Sequence, residues 1–138
     1  MGVVMRTWTL ADVMNREVLT VRESKTVEEL ADFLGEKEIS GVPVVDRRGK
    51  LVGVVSVTDI AGEAETGSGR DRSSKEPLRV RDIMTPTVFT VPEETTIREV
   101  ARTMIAGRVH RLLVTRDGHV VGIVTPLDLL KVLSEGEL

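Results

Sequence analysis

Slid back along itself by about seventy positions, the second half of this 138-residue chain meets the first. Asp12-Val13-Met14 falls on Asp82-Ile83-Met84, and Val18-Leu19-Thr20-Val21 falls on Val88-Phe89-Thr90-Val91. Thr26-Val27-Glu28-Glu29-Leu30-Ala31 falls on Thr96-Ile97-Arg98-Glu99-Val100-Ala101. After one deletion the register becomes sixty-nine, and Gly49 to Ser56 lies over Gly118 to Thr125, with Asp59 over Asp128. The order is kept from end to end, so chance explains it poorly. A repeat of this kind governs the fold, because a unit that cannot bury its apolar face alone must bury it on its neighbour. Each half is too small to hold a core by itself, so the pair is expected to pack as one module over residues 1–138.

Within each half the patterns agree. Thr26 with Glu29, and Thr96 with Glu99, read as capping boxes that open helices. Val27, Leu30, Ala31 and Leu34 then recur at helical spacing, as do Ile97, Val100, Ala101 and Met104. Two β-branched runs follow in each half, Val42 to Val45 with Leu51 to Val55, and Leu112 to Val114 with Val120 to Val124. Each pair surrounds a Gly-containing turn and reads as a hairpin. Pro43 has no N–H for a ladder and is expected at a strand start or an edge. A second helix starts near Thr58 and near Pro126, where proline suits a first turn. The expected class is therefore α/β (α+β), with two strand-helix-strand-strand-helix repeats over residues 10–64 and 78–134. The segment Gly62 to Pro77 offers almost nothing apolar and reads as a tether, flexible at least over residues 65–77.

Composition excludes several chemistries. The chain has no cysteine, so disulfide scaffolds, thiolate metal sites and cysteine nucleophiles are absent. Two histidines, His110 and His119, are too few for a His-rich zinc centre, and no metal site is expected. Aromatic residues make up 2% and the net charge is −3, which argues against nucleic acid as a partner. No apolar run reaches membrane-spanning length and no signal peptide is evident, so the cytoplasm is the expected compartment. No Ser-His-Asp order or Walker-type glycine loop appears, so no catalytic residues and no enzyme activity are expected.

One phrase ends each hairpin: Gly53-Val54-Val55-Ser56-Val57-Thr58-Asp59 and Gly122-Ile123-Val124-Thr125-Pro126-Leu127-Asp128. A hydroxyl leads a carboxylate by three residues where strand becomes helix. Taken singly, the phrase is a capping box. Its geometry also suits a nucleotide. Free amides at a helix start attract phosphate, a hydroxyl beside them can donate, and an acid one turn on can hold a ribose. Gly53 and Gly122 are expected to let a ligand approach the strand backbone.

The tandem repeat, the doubled Gly-apolar-apolar-Ser/Thr-x-x-Asp phrase and Asp82-Ile83-Met84-Thr85-Pro86 resemble a pair of CBS domains, a Bateman module. The resemblance covers about Leu10 to Leu133. It implies two repeats packed about a pseudo-twofold axis with two clefts, a homodimer, and an adenosyl ligand. AMP, ADP, ATP, S-adenosylmethionine or NAD would be sensed on behalf of an unknown regulated protein, with no cofactor required.

Carried over by position, Ser56 and Thr125 would meet phosphate, while Asp59 and Asp128 would hold ribose. Thr20 and Thr90 would border the ligand. Val42-Pro43 and Leu112-Leu113 would flank adenine. Thr58 would supply a further hydroxyl where the second repeat has Leu127. Arg108-Val109-His110-Arg111-Leu112 resembles a phrase that brings a basic pair to phosphate in adenylate-sensing members of the family. Ser40 and Gly41 stand there in the first repeat and bring no charge. Pro126 completes the second site. The resemblance thus implies a phosphate-preferring site around Asp128 and a weaker or less charge-demanding one around Asp59. The competing reading is a ligand-free dimerisation scaffold in which both phrases act only as caps.

Overall fold

The computed structural model describes residues 8–66, 76–86 and 89–135. Its elements in chain order are α1 (Leu10–Val13), β1 (Val21–Arg22), α2 (Val27–Lys37), β2 (Gly41–Val45), β3 (Leu51–Ser56) and α3 (Val57–Thr66). They continue with α4 (Val80–Ile83), β4 (Thr90–Pro92), α5 (Ile97–Gly107), β5 (Leu112–Arg116), β6 (His119–Val124) and α6 (Pro126–Ser134). The expected strand-helix-strand-strand-helix order stands in both halves, each preceded by a short helix that periodicity alone does not reveal.

Two three-stranded sheets result, β1-β2-β3 and β4-β5-β6. In each, the first strand runs parallel to the second and the hairpin is antiparallel. The parallel pair needs a crossover, and α2 or α5 supplies it. Both helices open as expected. Glu29 N–H donates to Thr26 Oγ1 at 3.1 Å while Thr26 N–H donates to Glu29 Oε1 at 3.0 Å. Thr96 and Glu99 repeat the pattern at 3.2 and 3.3 Å, in the same order. Both end on a non-glycine residue in the left-handed region, Glu38 at φ 56° and Arg108 at φ 52°.

The two compact units are not the two repeats. One comprises residues 19–88; the other joins residues 1–18 to 89–138. In the first, Val80 and Arg81 N–H donate to Lys25 and Glu23 carbonyls at 2.8 and 3.0 Å, so α4 docks on the start of α2. In the second, Leu10 and Ala11 N–H donate to Thr95 and Glu93 carbonyls at 3.1 and 3.3 Å, so α1 docks on the start of α5. Each Asp-x-Met segment therefore completes the unit built from the other repeat. The cores follow the same division. Leu30, Leu34, Val42, Val44, Val55 and Val80 form one, and Leu10, Met14, Val100, Leu112, Val114 and Val124 the other.

Two expectations change. Pro43 sits in the middle of β2, the central strand, opposite Val54. Val54 turns its own N–H and C=O outward to Thr85, at 3.0 and 2.8 Å, so this pair exchanges no bonds across the hairpin. Strand β1 begins only beside Val44, so proline's missing donor costs no ladder bond. The tether also starts later than Gly62, because α3 continues through Thr66. Ala61, Glu63, Ala64 and Glu65 favour helix by their intrinsic propensity. Of the rest of the expected tether, residues 67–75 lie outside the described residues, and Glu76 and Pro77 belong to no helix or strand.

Candidate ligand site

Each unit carries the same local construction at the mouth of its hairpin. In the unit of residues 19–88, strand β3 delivers Ser56 to the first turn of α3. Ser56 N–H and Oγ both donate to Asp59 Oδ2, at 2.8 and 3.1 Å, and Asp59 N–H donates back to Ser56 Oγ at 3.3 Å. In the other unit Thr125 N–H and Oγ1 donate to Asp128 Oδ2 at 2.8 and 3.1 Å. The first phrase is thus a complete capping box, while in the second Asp128 N–H turns to the Thr125 carbonyl at 3.0 Å and only the bonds to the carboxylate are formed; such a cap is worth about 1 kcal/mol to its helix. Each hydroxyl proton is already given to the carboxylate. A phosphate would take it only by turning the hydroxyl away from Oδ2.

The strand registers gather the other candidates around these boxes. Gly41 pairs with Ser56 and Val42 with Val55. Val21 pairs with Val44, which sets exposed Thr20 beside Pro43. In the second unit Thr90 pairs with Leu113, and Leu112 pairs with Val124 next to Thr125. Ser40, Thr58, His110, Arg111 and Pro126 are exposed, while Ser56, Asp59, Thr125 and Asp128 are partly buried. Val42 and Leu112, 4% and 2% exposed, belong to the unit cores. They can serve a ligand through their backbone rather than their side chains.

The two mouths also differ at the hydrogen bond that closes the hairpin. Val57 N–H donates to the Ser40 carbonyl at 2.9 Å, closing the hairpin one step beyond Ser56. The equivalent residue in the second repeat is Pro126, which has no N–H. Accordingly β6 ends at Val124 and β5 begins at Leu112, leaving Arg111 and Thr125 outside the ladder. That mouth is more open, and it is the one with the basic residues. The carboxylates differ as well. Lys131 Nζ lies 3.5 Å from Asp128 Oδ1, whereas Gly62 occupies the matching place near Asp59.

Gly53 and Gly122, expected to admit a ligand, instead admit methionine. A Cβ on Gly53 would stand 2.6 Å from Thr85 O and 2.9 Å from Met84 Sδ. On Gly122 it would press against Met14 Sδ and Cγ. Asn15 exchanges two 2.9 Å backbone bonds with Ile123, as Thr85 does with Val54, and these bridges seat the methionines. The signal was present in the sequence, since Met14 and Met84 are themselves a repeated pair. Only the crossed assembly of the units reveals which glycine each one covers.

Among the described residues no three histidine or acidic side chains gather as a metal site. No helix among them is long and apolar enough to cross a membrane.

Residues 10–65 and 80–135 each match the CBS domain family. The chain belongs to that family. An uncharacterised relative, MJ1232 of Methanocaldococcus jannaschii, is 39% identical over 126 residues, which are 91% of this chain. The chain spans only 39% of that protein's length. Among solved CBS structures, CBSX2 of Arabidopsis thaliana in complex with AMP superposes with a TM-score of 0.75 at 28% identity. The match covers 95% of this chain and 99% of that one. The CBS domain pair of MJ0100, in complex with 5′-methylthioadenosine and S-adenosylmethionine, gives 0.69 at 27% identity, with the same coverage.

Proposed function

We propose that this CBS pair is a non-catalytic regulatory sensor of adenosyl ligands, acting in the cytoplasm as a homodimer that reports occupancy to a partner protein. The observation that carries the reading is the doubled Ser/Thr-x-x-Asp phrase, whose amide and hydroxyl both donate to the carboxylate at each strand-to-helix junction. Fold relatives that hold AMP, or 5′-methylthioadenosine with S-adenosylmethionine, support it. In this reading Asp59 and Asp128 offer a carboxylate oxygen to ribose hydroxyls, while Ser56 and Thr125 meet phosphate together with the amides that follow them. Backbone at Val42-Pro43 and Leu112-Leu113 flanks the base, bordered by Thr20 and Thr90. Gly41, Ser40 and Thr58 complete the first site; His110, Arg111 and Pro126 complete the second.

The Asp128 site should prefer phosphorylated ligands such as AMP, ADP or ATP. Its open mouth leaves Arg111 and His110 unengaged by the hairpin, and a guanidinium fork matches phosphate oxygens. The Asp59 site lacks such charge and suits S-adenosylmethionine or another less anionic adenosyl compound. The competing reading, a ligand-free scaffold, is favoured by one observation: both carboxylates already spend Oδ2 on their own caps.

Titration calorimetry with AMP, ATP, S-adenosylmethionine and NAD separates the two. Loss of carboxylate-to-hydroxyl bonds worth about 1.5–3 kcal/mol should weaken AMP binding in Asp128→Ala by roughly one to two powers of ten. Arg111→Ala should weaken AMP more than S-adenosylmethionine. Absence of any saturable binding at millimolar ligand would leave the scaffold.

A further inference from the structure

The helical faces of the two repeats have diverged in opposite senses. At three equivalent exposed positions the sign of charge reverses: Glu28 against Arg98, Asp32 against Arg102, and Glu38 against Arg108. Size reverses alongside it. Ile105 and Leu130, 78% and 54% exposed, occupy the places of Gly35 and Ala61. Between α5 and α6 lies an apolar groove of about 730 Å³, walled by Ile97, Ala101, Ile105, Leu129 and Leu130. One face is basic with large apolar knobs, and the other is acidic and lined with small residues.

Neither face is explained from within its own unit. A Cβ on Gly35 would meet nothing within 4 Å, although glycine inside a helix costs about 1 kcal/mol relative to alanine. Arg98 stands in the first turn of α5, where the helix dipole disfavours a cation. None of the six charged residues makes an ion pair among the described residues.

We propose that the α5–α6 face of one chain docks on the α2–α3 face of a second copy, so that unlike repeats meet in the dimer. This rests on the homodimer proposed above and adds its orientation. Set against its own image across a twofold axis, as an isologous contact requires, the α5–α6 face would put arginine near arginine and leave Gly35 unexplained. Set against α2–α3, Arg98 and Arg102 gain Glu28 and Asp32, and Ile105 reaches the shallow surface at Gly35. Like-charge juxtaposition is what excludes the wrong pairing, and opposite charge is what selects the right one. His110 and Pro126 also line the groove, so this contact shares a wall with the proposed phosphate-preferring site.

The test is association measured by sedimentation equilibrium at low salt, with circular dichroism to confirm folding. Wild type should be dimeric. Arg98→Glu with Arg102→Glu should weaken dimerisation at least about tenfold, and so should Glu28→Arg with Asp32→Arg. A chain carrying all four reversals should associate as tightly as wild type. Because the chain lacks cysteine, Ile105→Cys and Gly35→Cys supply a second readout, the latter at a position where a side chain meets nothing within its own unit. A mixture of the two should form a disulfide-linked dimer under mild oxidation, and neither should do so alone. Self-cross-linking of Ile105→Cys, or dimerisation indifferent to the charge reversals, would overturn the orientation while leaving the homodimer standing. A monomeric wild type would overturn both, and ligand titration of that monomer would still score the sensor separately.

Discussion

The two hairpin mouths began as copies and now differ in their backbone bonding and in several side chains, and the differences at the hairpin's open end point the same way. In the first repeat Val57 ties its N–H to Ser40 and the neighbouring positions carry Ser40 and Gly41. In the second, Pro126 withdraws that bond and the same positions carry His110 and Arg111. Opening a mouth and charging it are separable changes, yet they fall on one site. Elsewhere the copies remain faithful: capping boxes, strand registers and the methionine seated over each glycine all match. Duplication leaves two frames that must pack alike, while only the residues at the mouths and on the outer helical faces are free to diverge.

The largest effect should come from disturbing what the copies share. Gly53→Ala forces a Cβ against the Thr85 carbonyl and Met84, and backbone cannot step aside as a side chain can. It should cost about 2–3 kcal/mol by denaturant unfolding, the upper part of the usual overpacking range. Gly122→Ala has a methionine side chain, Met14, rather than a carbonyl as its nearest neighbour and should cost less, about 1–2 kcal/mol. Equal losses would mean that the methionines, not the bridges, limit both sites.

A smaller change should convert one mouth toward the other. Val57→Pro keeps a residue suited to a first helical turn but deletes the bond to Ser40, so stability should fall by about 0.5–1.5 kcal/mol. Hydrogen exchange at the end of β3 should quicken while the rest of the sheet keeps its protection. Exchange unchanged there would show that the bond does not hold the mouth.

The smallest effect distinguishes the units by pH. Arg116 binds Glu93 through Nε and Nη2, at 2.5 and 2.8 Å, and this hydrogen-bonded partner holds the Glu93 carboxyl below its ordinary value of 4.5. A depressed carboxylate adds stability above its unfolded value and loses it as pH falls through the folded one. Melting temperature should therefore decline as pH drops below about 4.5, and Glu93→Gln should show a shallower decline. Glu29, lowered by its bonds from Thr26, and Asp46, lowered chiefly by the Lys50 N–H, will keep part of the acid sensitivity in the variant. An unchanged slope would place the sensitivity wholly in those groups.

Much of this molecule was legible without coordinates, and the reason is local. Thr26 with Glu29 and Thr96 with Glu99 specify helix starts through bonds three residues long. The continuous β-branched runs around a glycine turn specify the strands of each hairpin, and Ser56 with Asp59 announces a strand-to-helix junction whatever its later use. The middle placement of Pro43 was not legible, because it depends on where β1 starts and which way Val54 points. Nor was the role of Gly53 and Gly122, which is set by methionines about thirty residues later in one case and over a hundred earlier in the other. The repeat, its elements and its paired Ser/Thr-x-x-Asp phrases are properties of neighbouring residues, and the order of amino acids alone determined them. Which segment completes which unit was decided only in three dimensions, because a short helix such as α1 or α4 has too few bonds of its own and takes its place from the sheet edge that can satisfy its backbone.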